Sequence, residues 1–188
     1  MLLEAVFLSD DLLQHQAFLS GEKQAVEPAV LTFPQVRNEE PLPEFLIAAP
    51  SEMVMESTID ALWDAYYRYV AALADRVRSP FLSQWVSFEV GLRNALVGAR
   101  AKTLGLDAHS FMVATDLGED AGRFAGALSE WAMAPDPLAG LRVLDQARWD
   151  WLWANDEWFS FGDDEVAAYG AKLMLLQRWN RIGGKAAS

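Results

Sequence analysis

The chain contains no cysteine, and this absence removes several kinds of chemistry at once. Without thiols there are no disulfides, no thiolate metal sites and no cysteine nucleophile, which is compatible with a reducing cytoplasm. Histidine is almost as scarce, because only His15 and His109 are present, and neither has a partner at the spacing of an HExxH metal motif. The residue types that most often bind transition metals or relay protons are therefore nearly missing.

Long apolar runs are also lacking, although 52% of the 188 residues are hydrophobic. No run reaches the roughly 18 residues that a helix needs to span a bilayer. At the start of the chain, Met1-Leu2-Leu3 follows no basic region and is followed closely by acidic residues, so we expect no signal peptide. We predict a cytoplasmic protein without direct membrane insertion.

The sequence also lacks the motifs of common enzyme classes. No glycine cluster precedes a Gly-Lys-Ser or Gly-Lys-Thr, so no phosphate-binding loop is present, and there is no Gly-x-Ser-x-Gly nucleophile elbow. The acidic groups at 155–157 and 163–165 lack the spacing of an EF-hand, and a position at a helix start explains 163–165 through the helix dipole. We therefore predict a non-enzymatic protein without catalytic residues, cofactor or metal.

Basic residues are rare in the first third of the chain. Residues 1–66 hold 12 acidic and 2 basic residues, whereas the whole chain has a net charge of −12. Nucleic acid and anionic lipid would repel such an acidic region, which argues against both as direct partners. It would suit a basic protein partner, and solubility alone is the alternative explanation.

Tryptophan, by contrast, is abundant. The eight tryptophans are Trp63, Trp85, Trp131, Trp149, Trp151, Trp153, Trp158 and Trp179. Four of them lie between 149 and 158. Because tryptophan is seldom fully buried and is enriched at interfaces, this cluster, with Trp151 and Trp158 as its candidate residues, predicts either core or a protein interface.

The most strongly patterned stretch is Ser79 to Asp107. Ser79 is a candidate N-cap, Pro80 suits the first helical position, and Gly105 suits a left-handed C-cap. Apolar residues between these ends recur at steps of three and four and so share one face of the predicted helix; they are Phe81, Trp85, Phe88, Leu92, Ala95 and Ala99. Such a helix would be roughly 37 Å long, and we expect the other helices to pack on it.

Three polar residues interrupt this apolar helix. Glu89 and Arg93 are four residues apart with the acid first, which is the better orientation for a helical ion pair, and Asn94 follows directly. We expect all three to be partly buried and the charged pair to be satisfied together. The pair would either orient helices against each other or line a site or an interface.

The remaining pattern predicts five or six helices and little or no sheet. We predict a single all-α domain over 1–188, of antiparallel helices around the central one, with an irregular proline-rich connection at 22–50 and a helical core at 51–188. Near the start of the chain we predict either a helix from Ser9 to Leu19 or a strand over Leu2–Leu8, and later an extended segment at Phe45-Leu46-Ile47. The further helices are predicted to start near Ser51 or Ser57, at Asp116, at Asp136-Pro137 and at Gly162-Asp163. The last of them is predicted to end at 182–184.

Two segments resemble a known family. FLSQWVSFEVGLRNALVGARAKTLGLD resembles the pattern F-L-x-x-W-x-x-F-x-x-x-L-R-N-x-L of the C-type (or d-type) subunits of V-type ATPases, and in particular their shorter bacterial relatives that accompany V-type ATPases. WFSFGDDEVAAYGAKLMLLQRWNRIG is similar to the closing helix of that group, where a Phe-rich turn leads to Tyr, Lys-Leu and Arg-Trp. Those residues are here Phe159, Phe161, Tyr169, Lys172, Leu173, Arg178 and Trp179.

The resemblance covers about a third of the chain and implies the all-α fold of these C-type V-ATPase subunits, without cofactor. It implies a non-catalytic subunit or accessory protein of a bacterial V/A-type rotary ATPase, where the full-length family member in the central stalk joins the shaft to the membrane rotor ring. The partners would be these ATPase subunits, and the protein would be peripheral at the inner face of the membrane through them. Arg93 and Asn94 would be structural.

A different class of function is also compatible with the residues. The protein would then be an all-α small-ligand binder or enzyme, with a pocket near Glu89 and the cluster from Trp149 to Trp158. A carboxylate in an apolar helix can have a raised pKa and act as acid or base. The nearby Arg93 argues against this role, because it would keep Glu89 ionised.

Overall fold

The computed structural model describes residues 1–47, 58–156 and 159–186, the last four without their side chains. Within these ranges the protein is all-α and has no strand. The helices are α1 (Leu2–Leu19), α2 (Phe33–Val36), α3 (Thr58–Val77), α4 (Pro80–Leu104), α5 (Ala125–Ala132), α6 (Pro137–Ala154) and α7 (Asp163–Ala186). Short 3-10 helices lie at Glu44–Leu46, Ala108–Phe111 and Ala121–Phe124. The predicted fold class is therefore confirmed at the level of all-α.

The chain forms two compact units, where we expected one helical domain. Unit 1 consists of 1–42 and 145–188, and unit 2 consists of 43–144. Helix α6 begins in unit 2 and ends in unit 1. The long predicted helix organises unit 2, because α4 packs against α3, α5 and the 3-10 helices at Ala108–Phe111 and Ala121–Phe124.

The predicted ends of α4 are confirmed. The Ser79 side chain accepts a hydrogen bond from the backbone N–H of Leu82, Pro80 is the first helical residue, and Gly105 ends the helix with a φ of 68°. Between α3 and α4, Arg78 has a φ of 56°, and this tight reversal makes the two helices an antiparallel hairpin. The start of α6 also follows the prediction, since Asp136 accepts from the backbone N–H of Ala139.

Unit 1 is built on the packing of α1 against α7. Early residues of α1 meet early residues of α7, as Leu3 lies against Gly170, and later residues meet later ones, as Asp10 pairs with Arg181. The two helices therefore run parallel, unlike the antiparallel arrangement that we expected. A parallel pair needs a long connection, and unit 2 is part of it.

The proline-rich connection is fixed to one face of α1. Asp11 is fully buried, and its carboxylate accepts backbone N–H bonds from Ala29, Val30 and Leu31 at 2.7–2.8 Å. Burial raises the pKa of Asp11, and these three bonds oppose the rise. His15 Nδ1 donates to the carbonyl of Val36 at 2.9 Å, since a carbonyl can only accept.

Several local predictions were wrong. Residues Leu2–Leu8 belong to α1, which starts well before Ser9, and 44–46 form a 3-10 helix rather than an extended piece. The helix predicted from Asp116 starts only at Ala125, because Asp120 caps an intervening 3-10 turn. Helix α7 continues through the predicted stop at 182–184, since helical geometry tolerates glycine at a moderate cost. The predicted caps Ser51 and Ser57 lie outside the described residues.

The close approach of α4 to the segment after it generates a prediction. A Cβ on Gly91 would lie 2.8 Å from Phe124 Cε2 and 3.0 Å from the backbone nitrogen of Glu119, whereas a Cβ on Gly98 would meet only Met112 Cε at 3.6 Å. We expect Gly91→Ala to lower the free energy of unfolding by about 1–3 kcal/mol, because backbone atoms must move. Gly98→Ala, in the same helix, should be neutral or stabilising by up to about 1 kcal/mol.

Urea unfolding of both variants beside the wild type measures this difference. Equal unfolding midpoints for the two variants would show that the backbone near Glu119 can move away from α4 at little cost in free energy. The close contact with Gly91 would then not fix this segment against α4.

Candidate interaction surface

The polar residues of α4 hold the helix against its neighbours in unit 2. Arg93 Nη2 lies 2.7 Å from Asp60 Oδ1 on α3, and its guanidinium lies 5.3 Å from the centre of the Trp63 ring. Arg93 thus forms an ion pair with the neighbouring helix, to a partner that the spacing within α4 did not indicate. Glu89 and Arg93 are both half-buried, as expected.

Asn94 binds the chain that follows α4. Its side-chain amide donates to the carbonyl of Val113 at 2.7 Å, and its carbonyl accepts from the N–H of Val113 at 3.0 Å. The next residue, Ala114, has a φ of 43° and donates its N–H to Asp64 of α3 at 2.8 Å. Asn94 therefore helps to shape this segment.

Trp85 is part of the core of unit 2. It is buried and stacks between Phe81 and Phe88, with ring centres 6.4 and 5.8 Å away. Trp85 thus stabilises the packing of α4 and does not offer its ring to a partner.

Two of the candidate cations on α7 are bound by carboxylates in unit 1. Arg178 lies 3.0 Å from the buried Asp145. Lys172 is buried, forms a hydrogen-bonded ion pair with Asp156, and lies 4.2 Å from the centre of the Trp153 ring. Arg181, which the sequence pattern did not single out, pairs with Asp10 at 2.7 Å.

The aromatic candidates of unit 1 divide by exposure. Trp151 is buried and Trp179 is half-buried, whereas 67% of Tyr169 is exposed. Trp158 lies outside the described residues. Of the candidates that the structure describes here, Tyr169 therefore offers the largest fraction of its side chain to solvent.

Immediately before α7, the chain forms an aromatic turn, Phe159–Phe161, which we call the Phe turn. Phe159 is 76% and Phe161 is 89% exposed, and both have positive φ values, 63° and 52°. Such values are strained for bulky residues and persist only where other contacts impose them. The Glu165 carboxylate supplies those contacts, because it accepts the N–H of Phe159 at 3.0 Å and the N–H of Phe161 at 2.6 Å.

An apolar stripe lies along α7, the helix that follows the Phe turn in the chain. Its members recur at steps of three and four, so they share one face of the helix, and they are Val166, Tyr169, Leu173 and Leu176. Leu173 is half-buried and the other three are exposed. The Phe turn and this α7 stripe together form what we call the aromatic surface.

Acidic groups lie beside the aromatic surface. Asp163 and Asp164 precede Glu165 in the first turn of α7, and Asp163 is exposed. Backbone hydrogen bonds from Phe161 and Phe159 hold the pKa of Glu165 below its ordinary value, so that this carboxylate is ionised at neutral pH. An apolar surface with anionic groups at its edge is suited to protein contacts.

The described ranges contain no group of three or more histidine, aspartate or glutamate residues placed to hold a metal ion. In the same ranges, none of the helices combines the length and apolar character required to cross a bilayer.

The role of Glu165 was not foreseen from the sequence, where the helix dipole alone explained 163–165. Gly162 precedes the helix and Glu165 is its third residue, the position from which a glutamate reaches back to the preceding backbone in a capping box. That spacing was the available signal. The partner of Arg93 gave no such signal, because Asp60 is 33 residues away.

The ion pair of Arg93 generates a prediction. Arg93→Leu leaves the half-buried Asp60 carboxylate without this partner, so we expect the free energy of unfolding to fall by about 1–3 kcal/mol. Arg100→Leu, at an exposed position of the same helix, is the matched control and should change it by less than about 0.5 kcal/mol. Thermal unfolding measures both. Unchanged stability combined with lost partner binding would make Arg93 an interface residue instead.

The lowered pKa of Glu165 generates a second prediction. The bonds to the Phe turn should be fully formed above the ordinary value of 4.5 and lost as the pH falls through the lowered pKa, because protonation weakens the carboxylate as an acceptor. The amide proton shifts of Phe159 and Phe161 in NMR spectra should report this change, and Glu165→Gln should abolish it. A midpoint at or above 4.5 would contradict the arrangement.

No protein-family model matches the chain, and no curated protein or solved structure is significantly similar to it.

Proposed function

We propose that the protein is a non-catalytic accessory protein or subunit of a bacterial V/A-type rotary ATPase and that it acts by binding other subunits. The observation that carries this proposal is the aromatic surface, since two strongly exposed phenylalanines and Tyr169 lie together in one unit. Exposed apolar surface of this kind is typical of a site for protein contacts.

The position of this surface in the chain links it to the family resemblance. The Phe turn, Tyr169 and the stripe all belong to the C-terminal segment that resembles the closing helix of the C-type V-ATPase subunits. The charged residues of that segment, Lys172 and Arg178, are held in internal ion pairs. What the segment offers to a partner is therefore chiefly aromatic and aliphatic.

The other segment of the resemblance supports the same proposal in a different way. Its polar residues Arg93 and Asn94 form contacts inside unit 2, and Trp85 is buried there. This segment thus stabilises the fold of unit 2. A rigid fold of this kind is suited to a stalk subunit or an accessory protein. The partners that the resemblance implies are the central shaft and the membrane rotor ring.

Purification of the tagged protein from its own host tests the proposal. Gentle solubilisation of membranes, affinity purification and mass spectrometry should recover rotary ATPase subunits in stoichiometric amounts. The host must be one in which the assembled ATPase has been demonstrated, and an untagged strain is the control. Recovery of the tagged protein alone from such cells would contradict the proposal.

A further inference from the structure

The aromatic surface contains several exposed apolar residues close in the chain, and the backbone of its turn is held in shape by Glu165. Exposed residues such as Leu104 and Met133 lie in unit 2, at the end of α4 and just after α5. The aromatic surface instead combines a turn, fixed by Glu165, with an exposed face of the helix that follows this turn in the chain. Strain maintained at two exposed aromatic residues favours a functional explanation over chance exposure.

We infer that the aromatic surface is a preformed binding site for an amphipathic α-helix of a partner protein. This helix would carry lysine or arginine beside its apolar positions. This inference deepens the proposed function, on which it rests only for the identity of the partner. The apolar and acidic character of this binding site follows from the residues of the chain itself.

The length of the surface fits a helix. The stripe extends from Val166 to Leu176, which is about 15 Å along the axis of α7 and corresponds to roughly three turns of a partner helix. Three turns present the apolar positions i, i+3, i+4 and i+7, which are the usual anchors of a helix bound in a groove. Phe159 and Phe161 at one end would each bury about 150–250 Å² if fully covered.

The charge of the surface selects a basic occupant. The carboxylates of Asp163 and Glu165 lie at the end with the Phe turn. Among the described side chains of α7, the cations are Lys172, Arg178 and Arg181, and each is already paired with a carboxylate of unit 1. The first turn of α7 thus gives this end of the surface a negative charge, and lysine or arginine on the partner would be attracted to it.

The same charges argue against two other occupants. A second copy would present the same surface, whose described lysine and arginine side chains on α7 are already paired, and would bring a further net charge of −12. An anionic lipid surface would be repelled. A basic helix avoids both penalties.

The fixed turn also reduces the cost of binding. A flexible turn would lose conformational entropy when its two phenylalanines were immobilised, whereas this turn is already held by the bonds to Glu165. The carboxylate thereby acts as a positioning group for Phe159 and Phe161.

Fluorescence anisotropy with three labelled peptides of about 18 residues, long enough for a stable helix, tests the inference. The first is an amphipathic leucine–lysine helix, the second a scramble of it without an apolar face, and the third a leucine–glutamate helix of the same pattern. We expect the full chain to bind the first peptide at least tenfold more tightly than either of the others. Equal binding of the first two peptides would reduce the effect to charge alone and overturn the inference.

Two variants of the surface and one matched control complete the test. Phe159→Ser with Phe161→Ser should raise the Kd for the first peptide at least tenfold, and Glu165→Ala should raise it about threefold or more with both phenylalanines present. Leu104→Ser with Met133→Ser removes exposed apolar groups of unit 2 and should leave the Kd unchanged. Tyr169→Ser with Leu176→Ser gives a second test of the stripe, and circular dichroism verifies that each variant is folded.

The alternative occupants have their own readouts. Dimerisation of the wild type that the double Phe variant abolishes, measured by sedimentation velocity, would assign the surface to a second copy. Binding to phosphatidylglycerol vesicles that the same variant abolishes would assign it to lipid. Either result would overturn the inference.

Parallel purification of the wild type and the double Phe variant separates this inference from the proposed function. ATPase subunits recovered with the wild type but not with the variant support both. Recovery of ATPase subunits with both the wild type and the variant would support the proposed function and contradict the inferred helix-binding site. If the peptide binds as expected but no ATPase subunit is recovered with the wild type, the inferred helix-binding site is supported and the proposed function is contradicted.

Discussion

The hydrogen bond from a backbone N–H to a side-chain oxygen on a helix is the interaction on which the irregular parts of this protein depend. Asp11 binds the proline-rich connection, Asp64 and Asn94 bind the segment after α4, and Glu165 binds the Phe turn. At the buried residues Leu31 and Ala114, the backbone amides would otherwise have no partner, which is costly. Each rigid helix thus gives shape to a segment that cannot form regular structure by itself.

Arginine and lysine side chains complete this scheme by joining helices. Arg93 connects α4 to α3, and Arg181 connects α7 to α1. In the two segments that carry the family resemblance, Arg93, Lys172 and Arg178 are therefore engaged in internal contacts, whereas the Phe turn and Tyr169 of the second segment are exposed. This separation between charged scaffold and apolar surface is the main support for an interaction role.

The sequence was sufficient for features that are local in the chain. Helix α4 was predicted with its cap residues, because Ser79, Pro80 and Gly105 act on their immediate neighbours. Pairings between distant residues, such as Asp60 with Arg93, could not be predicted, because no spacing rule applies across 33 residues. The long α1 was recognised only in part, since acidic residues interrupt its apolar pattern and a helix hydrophobic on several sides lacks a clear period.

The division of the chain between the two units has a consequence for synthesis on the ribosome. Unit 2 is one continuous segment, and all its residues are synthesised before α7. Helix α1 is made before unit 2 and its packing partner α7 is made after it, so the face of α1 that packs on α7 stays uncovered while unit 2 is being synthesised. The packing of α1 on α7 is consequently a contact between segments far apart in the chain, and unit 1 is completed only when this contact forms.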